Sequence, residues 1–333
     1  MTKLPRIGVV GAGSLGFHHI RILKDLGGVQ FGGFFESRSE RAAEVVKELG
    51  VKSHRSLDEL LDASDAVIIV VPTSKHFEVA TAAIGKGKHV FIEKPITTTL
   101  EEADSLLDLA AKKSVMVQIG HIERFNRAVR AALPHVHSPR FIDSERLAPF
   151  SPRGSDVAVV LDLMIHDIDL LLTLVGSSAQ DITAVGVPVL TPMLDIANAR
   201  VTFTSGAVAN ITSSRISRER KRKIRIFQQS GYLSLDLGAG TGDFFRLKSD
   251  IDPMSVKTAP VDIAAFVDRI PLEAPEGEPL KLELESFIAA LNDESPIVVT
   301  GEEGRLALSV ALRIVSEIER TLPALAGRSH RHA

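Results

Sequence analysis

The run Arg6-Ile7-Gly8-Val9-Val10-Gly11-Ala12-Gly13-Ser14-Leu15-Gly16 decides how the first third of the chain folds. Arg6 to Val10 reads as a short strand, Leu15 to Leu26 as a helix, and the turn joining them carries glycine at Gly-x-Gly-x-x-Gly spacing. In that strand–turn–helix setting each glycine has a task. Gly11 permits the tight turn, Gly13 lets the backbone approach a pyrophosphate, and Gly16 lets helix and strand pack closely. Ser14 and Leu15 open the helix, whose N-terminus meets the negative charge. A glycine-rich turn that holds no ligand is the competing reading.

The alternation continues. Val29 to Phe35, Ala66 to Val71, His89 to Ile92 and Val115 to Ile119 read as strands. Glu40 to Leu49 (with Ser39 as N-cap), Phe77 to Gly85 and Leu100 to Lys112 read as helices. Ala66 to Val71 is apolar throughout, as a strand buried on both faces must be. The pattern predicts an α/β Rossmann domain, a doubly wound parallel sheet of about six strands, over residues 1–122.

Ligands in such sheets lie at the carboxyl ends of the strands, which brings Glu36, Ser37, Arg38, Val71, Thr73 and His76 into the candidate cofactor site. Glu36 stands 25 positions after Gly11. A carboxylate there accepts hydrogen bonds from an adenosine ribose and repels a 2′-phosphate, so NAD is favoured over NADP. Ser37 and Arg38 pull the other way, because an arginine there can bind that phosphate or stack on adenine. His76 either contacts the cofactor or is a solvated residue at a helix start.

At 333 residues the chain has room for two domains. A formal net charge of −3 argues against nucleic acid as a partner. The absence of cysteine excludes disulfides, thiolate metal sites and cysteine nucleophiles. Met1 to Arg6 leads straight into a strand with no room for a signal peptide, and no apolar stretch is long enough to span a bilayer. A cytoplasmic protein without a membrane partner is expected.

Beyond residue 122 the pattern changes. Ile182 to Val189, Ala197 to Phe203, Ala207 to Ile216, Arg222 to Gln228, Tyr232 to Leu237 and Phe244 to Lys248 read as short strands separated by turns. Leu280 to Leu291 and Gly304 to Leu322 read as helices, Ile251 to Pro279 as an irregular surface excursion, and Arg328 to Ala333 as a frayed tail. Residues 123–333 are therefore expected to form an α/β domain with a large, mostly antiparallel open sheet.

Within it, Asp162-Leu163-Met164-Ile165-His166-Asp167-Ile168-Asp169 sits in an apolar helix. Asp162 and His166 are four residues apart and share a helical face. A carboxylate beside an imidazole can orient the ring while its other nitrogen works as a base, or the two can form a buried pair that only positions the helix. His166, Asp167 and Asp169 spread around the helix and make no convincing metal site, so none is expected.

Glu93-Lys94-Pro95 follows the strand His89 to Ile92, which places Glu93 and Lys94 at the cofactor crevice. There the lysine ammonium can hold a substrate hydroxyl and stabilise charge on its oxygen. Three features occur in order: the glycine turn at Gly11, Gly13 and Gly16, the run Gly87-Lys88-His89-Val90-Phe91-Ile92-Glu93-Lys94-Pro95, and the pair Asp162 and His166. Together they resemble the glucose-fructose oxidoreductase, inositol dehydrogenase and MocA family. The resemblance implies a bound nicotinamide cofactor, a catalytic trio of Lys94, Asp162 and His166, and an open sheet that serves in oligomerisation, as a homodimer or homotetramer. It further implies that the histidine takes a hydroxyl proton as hydride leaves the same carbon, with the lysine assisting.

Gly120-His121-Ile122-Glu123-Arg124-Phe125-Asn126 is similar to the corresponding run in the family's nucleotide-sugar dehydrogenases, especially those acting at C3 of UDP-N-acetylglucosamine. Another UDP-sugar, a free pyranose or an inositol are the alternative substrates, and a non-catalytic NAD(P)-binding regulator is the alternative of another class. Arg124 can reach substrate or grip a carboxylate such as Glu93, and Asn126 offers donor and acceptor to a sugar or forms a turn. The basic run Arg215, Arg218, Arg220, Lys221, Arg222, Lys223 and Arg225 reads as a pyrophosphate clamp or as a solvated hairpin.

Overall fold

The structure, a computed structural model, describes residues 4–151, 154, 157–249 and 266–322. The chain opens with β1 (Arg6–Val10), α1 (Ser14–Leu23), β2 (Gln30–Phe35), α2 (Ser39–Leu49), α3 (Leu57–Ala63) and β3 (Ala66–Ile69). It continues through α4 (His76–Gly85), β4 (His89–Glu93), α5 (Leu100–Lys113) and β5 (Val117–Gly120). These strands form one parallel sheet in the order β2-β1-β3-β4-β5. The order reverses direction at β1 and β3, and the carboxyl ends of those two strands flank the crevice that such sheets use for ligands.

The sheet has five strands rather than about six. Among the described residues, its edges meet only isolated bridges, Phe34 with Ser53 and Gln118 with Thr300. Two local expectations also change. Ser39 is the first helical residue of α2 and not its cap, which is Arg38. The seven-residue helix α3 was not anticipated, although Ser56 accepts from Glu59 N in an ordinary N-cap.

The next elements are α6 (Arg127–Ala132), β6 (Phe141–Leu147), a wide π-type turn at Val160–Met164, α7 (Ile165–Val175), β7 (Ala179–Val187), β8 (Ile196–Phe203) and β9 (Val208–Ser214). Then come β10 (Lys221–Gln228), β11 (Gly231–Asp236), β12 (Thr241–Leu247) and β13 (Val267–Leu272), and α8 (Pro279–Leu291) and α9 (Gly301–Thr321) complete the series. β6 to β13 make an eight-stranded sheet in the order β13-β12-β11-β10-β6-β9-β8-β7, antiparallel except where β6 meets β9. Two of its strands were not expected, β6 and β13. The second lies in the stretch read as irregular. Residues 251–265 of that stretch and the tail from 323 lie outside the described residues.

Alternation gives the large sheet two unlike faces. Ile142, Ile224, Ile226, Leu233 and Leu235 are buried on one of them. On the other, Phe141, Phe227, Tyr232 and Phe245 occupy one cross-strand row, with successive ring centroids 5.7, 5.4 and 4.6 Å apart, and each is only partly buried. The neighbouring row pairs Arg225 with Asp143 at 2.6 Å.

The chain divides into two compact units. One is Met1–Ile122 with Glu278–Ser309, and the other is Glu123–Gly277 with Val310–Ala333. The core of the first contains Ile7, Val9, Ile20, Phe34, Ile68 and Phe91 from the sheet and α1, together with Leu280, Leu284, Phe287 and Ile288 from α8. Phe287 is fully buried, with its ring 5.8 Å from that of Phe91. Phe287→Ala is expected to cost about 3–5 kcal/mol, the range for emptying a large buried aromatic site. Urea denaturation measures it, and a loss near zero would show that α8 contributes little to this core.

Candidate cofactor and active site

In the first unit the glycine turn is built for a close neighbour. Gly11 has φ +93°, and a Cβ there would lie 2.5 Å from Val70 O. At Gly16 a Cβ would lie 2.1 Å from Gly11 O, so the helix could not approach the turn with any other residue. Nothing lies within 4 Å of the Cβ position at Gly13, which leaves space where a pyrophosphate would come. The first bond of α1 runs from Phe17 N to Gly13 O, so the amides of Leu15 and Gly16 have no intrahelical acceptor. These residues fit a dinucleotide.

Glu36 is the best-fixed polar group beside this turn. It accepts from Ala12 N at 2.9 Å and from Arg38 Nε at 2.9 Å. Burial alone would raise its carboxyl pKa, but Arg38 and the Ala12 amide outweigh it and hold the group below the usual carboxylate range. Ser37 and Arg38 are exposed. Val71 and Thr73, partly exposed, follow the carboxyl end of β3.

Of the two readings of His76, the structure excludes the solvated one. The residue begins α4 but is only 1% exposed. Its Nδ1 lies 2.8 Å from Pro95 O and its Nε2 3.0 Å from Val71 O. The ring sits between the end of β3 and the turn that carries Lys94, and in its neutral form donates its one N–H to one of the two carbonyls. Glu93 is buried too, with His19 Nε2 2.7 Å from its Oε1. His19 was overlooked, yet the spacing of buried Gly16, His19, Ile20 and Leu23 on α1 marks it as inward-facing. Lys94 stays partly exposed at the end of β4, and its peptide bond to Pro95 is cis.

In the second unit the segment Asp162 to Asp169 separates into two kinds of residue. Asp162 and His166 are partly exposed, whereas Asp167 and Asp169 are each 1% exposed. The wide turn at Val160–Met164 passes into α7 between the two, so the expected single α-helix begins with a π-type turn, a feature common at functional sites. Arg146 forks onto Asp167 with two bonds of 2.9 Å and gives its Nη1 to Glu123 Oε1 at 2.8 Å. Burial pushes the Asp167 carboxyl up, while the two carboxylates keep the guanidinium firmly charged. Removing one partner of such a buried pair costs about 3–5 kcal/mol.

Arg124 grips Asp169 in the same way, at 2.9 and 2.6 Å. Asn126 caps α6 through Oδ1, which accepts from Ala128 N, and its amide donates to Glu123 Oε2 and Leu237 O. Its side chain is thus engaged as a turn-forming asparagine is. Arg146 was missed because the run around it does not alternate apolar and polar residues. Around the basic run, Lys221 pairs with Glu145, and Arg225 with Asp143 on the open face, while Arg222 lies 3.8 Å from Glu123. Among the described residues no group of three His, Asp or Glu could hold a metal ion, and no helix is long and apolar enough to cross a membrane.

Burial lowers the His76 pKa, although both carbonyls and Glu93 oppose the shift. The folded ring stays neutral where the unfolded ring, with a pKa of about 6.5, takes up a proton. Stability therefore falls as pH drops below the unfolded value, until the folded-state pKa is passed. Between about pH 7.5 and 5.5 the wild-type protein is expected to lose more thermal stability than His76→Gln. Equal losses in melting experiments would remove His76 from the acid response.

Comparison with known proteins reaches both units. Residues 5–121 match the oxidoreductase family with an NAD-binding Rossmann fold, and residues 119–234 match the GFO/IDH/MocA C-terminal domain. A UDP-N-acetylglucosamine 3-dehydrogenase from Acidithiobacillus ferrooxidans is 39% identical over 320 residues, which is 95% of this chain and 98% of that protein. A solved structure of the same description from that organism has a TM-score of 0.88 at 38% identity, covering 96% of this chain and 99% of the other. The scyllo-inositol dehydrogenase of Lactobacillus casei, solved with NAD(H) and scyllo-inositol, shares the fold with a TM-score of 0.76 at 20% identity over 96% and 98% of the two chains. Matched over nearly its whole length, the chain belongs to the GFO/IDH/MocA family of NAD(P)-dependent oxidoreductases.

Proposed function

We propose that this enzyme is an NAD-dependent dehydrogenase that oxidises the 3-hydroxyl of UDP-N-acetylglucosamine to a ketone. The observation that carries the reading is the sorting of charge on one segment. Asp167 and Asp169 are buried against arginines, and Asp162 and His166 are left partly exposed, as groups that meet a substrate must be. The substrate is supported by the likeness to the Acidithiobacillus ferrooxidans enzyme along nearly the whole of both chains.

Bound NAD supplies the hydride acceptor. His166 removes the hydroxyl proton while the C–H electron pair departs as hydride, leaving a carbonyl and a protonated imidazole. Lys94 donates to the same oxygen and stabilises its developing charge, and Asp162 orients the imidazole or the sugar. Gly11, Gly13, Ser14, Leu15 and Gly16 hold the pyrophosphate, and Glu36 holds the adenosine ribose, which favours NAD over NADP. His76 and Glu93 brace the cofactor side of the site. Arg124 and Asn126 act through the framework they hold.

Purified enzyme should reduce NAD, followed by NADH absorbance, with UDP-N-acetylglucosamine in preference to other UDP-sugars, free pyranoses and inositols. Lys94→Ala should lower kcat by about two to four orders of magnitude while NAD still binds. Turnover of a free polyol but no UDP-sugar would sink the substrate assignment, and full activity in Lys94→Ala would remove the lysine from the mechanism.

The same reading includes a homodimer or homotetramer assembled through the open face of the large sheet. A partly exposed row of four aromatic rings is costly to leave in water and suits a second copy. Tyr232→Asp should convert the assembly to a smaller species in sedimentation velocity. An unchanged sedimentation coefficient would place the interface elsewhere.

A further inference from the structure

One residue of the basic run behaves unlike its neighbours. Arg215 follows β9 directly and is only 4% exposed. Its guanidinium is committed to backbone carbonyls. Nη1 donates to Gly154 O, and Nη2 donates to Val157 O and, at 2.7 Å, to Leu194 O. Its Nε faces Asp195 Oδ1 at 3.2 Å.

Asp195 is fully buried and firmly held. Its Oδ2 accepts from the amides of Val189, Leu190 and Thr191 at 2.9, 2.7 and 2.9 Å, and its Oδ1 accepts from the Thr191 hydroxyl at 2.8 Å. The ion pair is therefore a fixed post, and a planar guanidinium transmits that fixity to every carbonyl it grips.

Gly154 lies on Asp162. Gly154 has φ +75°, and a Cβ built on it would stand 2.7 Å from Asp162 Oδ2 and 3.0 Å from Cγ. The backbone at Gly154 thus lies against the carboxylate with no room for a side chain. The chain leading into Asp162 is tied as well, since Val159 N donates to Leu194 O at 2.9 Å and Asp162 N to Ala158 O at 3.2 Å.

We infer that Arg215 is a positioning residue for the reaction: by holding the Gly154 carbonyl it fixes the Gly154 backbone against the Asp162 carboxylate and so sets the orientation in which Asp162 works. This rests on the reading of Asp162 as part of the active site. The run from Arg215 to Arg225 accordingly does two jobs, with Arg215 serving the site from within and the strand residues after it serving the open face.

A double-mutant cycle tests the inference, using the substrate turned over fastest in the panel above. Arg215→Lys and Gly154→Ala should each lower kcat by about tenfold or more, the scale of a small misplacement at a reacting centre. KM should stay within about twofold, because ground-state binding is not what the Arg215 grip on Gly154 supplies. In an Asp162→Asn background either change should alter kcat by less than about twofold, because the group being positioned is already gone. Effects that multiply in the double variants, or single variants at the wild-type rate, overturn the inference. Asp162→Asn at the wild-type rate would sink the reading of Asp162 and the inference with it. A slow Asp162→Asn with multiplying effects sinks the inference alone. Should Arg215→Lys fail to fold in a thermal melt, the Gly154→Ala arm completes the cycle.

Discussion

A carboxylate on an apolar helix must meet a cation or return to water, and the second unit is organised by that requirement at Asp167. Arg146 answers it from the centre of the large sheet, and the same guanidinium takes on Glu123, which in turn holds the amide of Asn126. One buried charge thereby ties β6, the segment entering α6, and α7. Asp169 repeats the arrangement with Arg124. The desolvation cost of so many ions is large, and what it yields is definition of place more than stability. The helix that carries His166 is thus fixed on its inner side, and so is the wide turn before it that carries Asp162.

The first unit relies on the opposite device, the removal of side chains. Gly11 and Gly16 create a turn in which backbone packs against backbone, and Gly13 leaves space beside it. Around that turn the polar groups are braced: Glu36 by Ala12 N and Arg38, His76 between two carbonyls of which its one N–H reaches one, Glu93 by His19. Each brace restricts a side chain before a ligand arrives, which is how a binding site avoids losing affinity to its own disorder.

Much of this was legible in the residues. The glycine spacing, the apolar run at Ala66 and the switch to short Val- and Thr-rich strands marked both sheets, because hydrophobic period and turn chemistry are local properties. β6 was not legible for a physical reason. Its inward positions are Ile142, Ser144 and Arg146, and a buried arginine satisfied by distant carboxylates looks in sequence like a solvent-facing one. β13 carries Pro271 at the sheet edge, where proline is tolerated but reads as a loop. The roles of Arg124 and Arg215 were equally hidden, since their partners lie far off in the chain, whereas Asn126, which bonds its neighbours Ala128 and Glu123, was legible as a turn former. Lys94, Asp162 and His166 were singled out only because three separate motifs occur in one order.

The apolar residues that α8 contributes to the first unit also govern how the protein can be made. A chain emerging from the ribosome completes all five strands of the small sheet by Gly120, but Leu280, Leu284 and Phe287 follow only after the whole of the eight-stranded sheet has been synthesised. Until then the sheet waits with an uncovered patch around Phe91. Proteins usually mature N-terminal half first. Here the earliest part of the chain cannot complete its core until α8 has been made, so the apolar surface around Phe91 lacks its cover while every strand of the large sheet is synthesised.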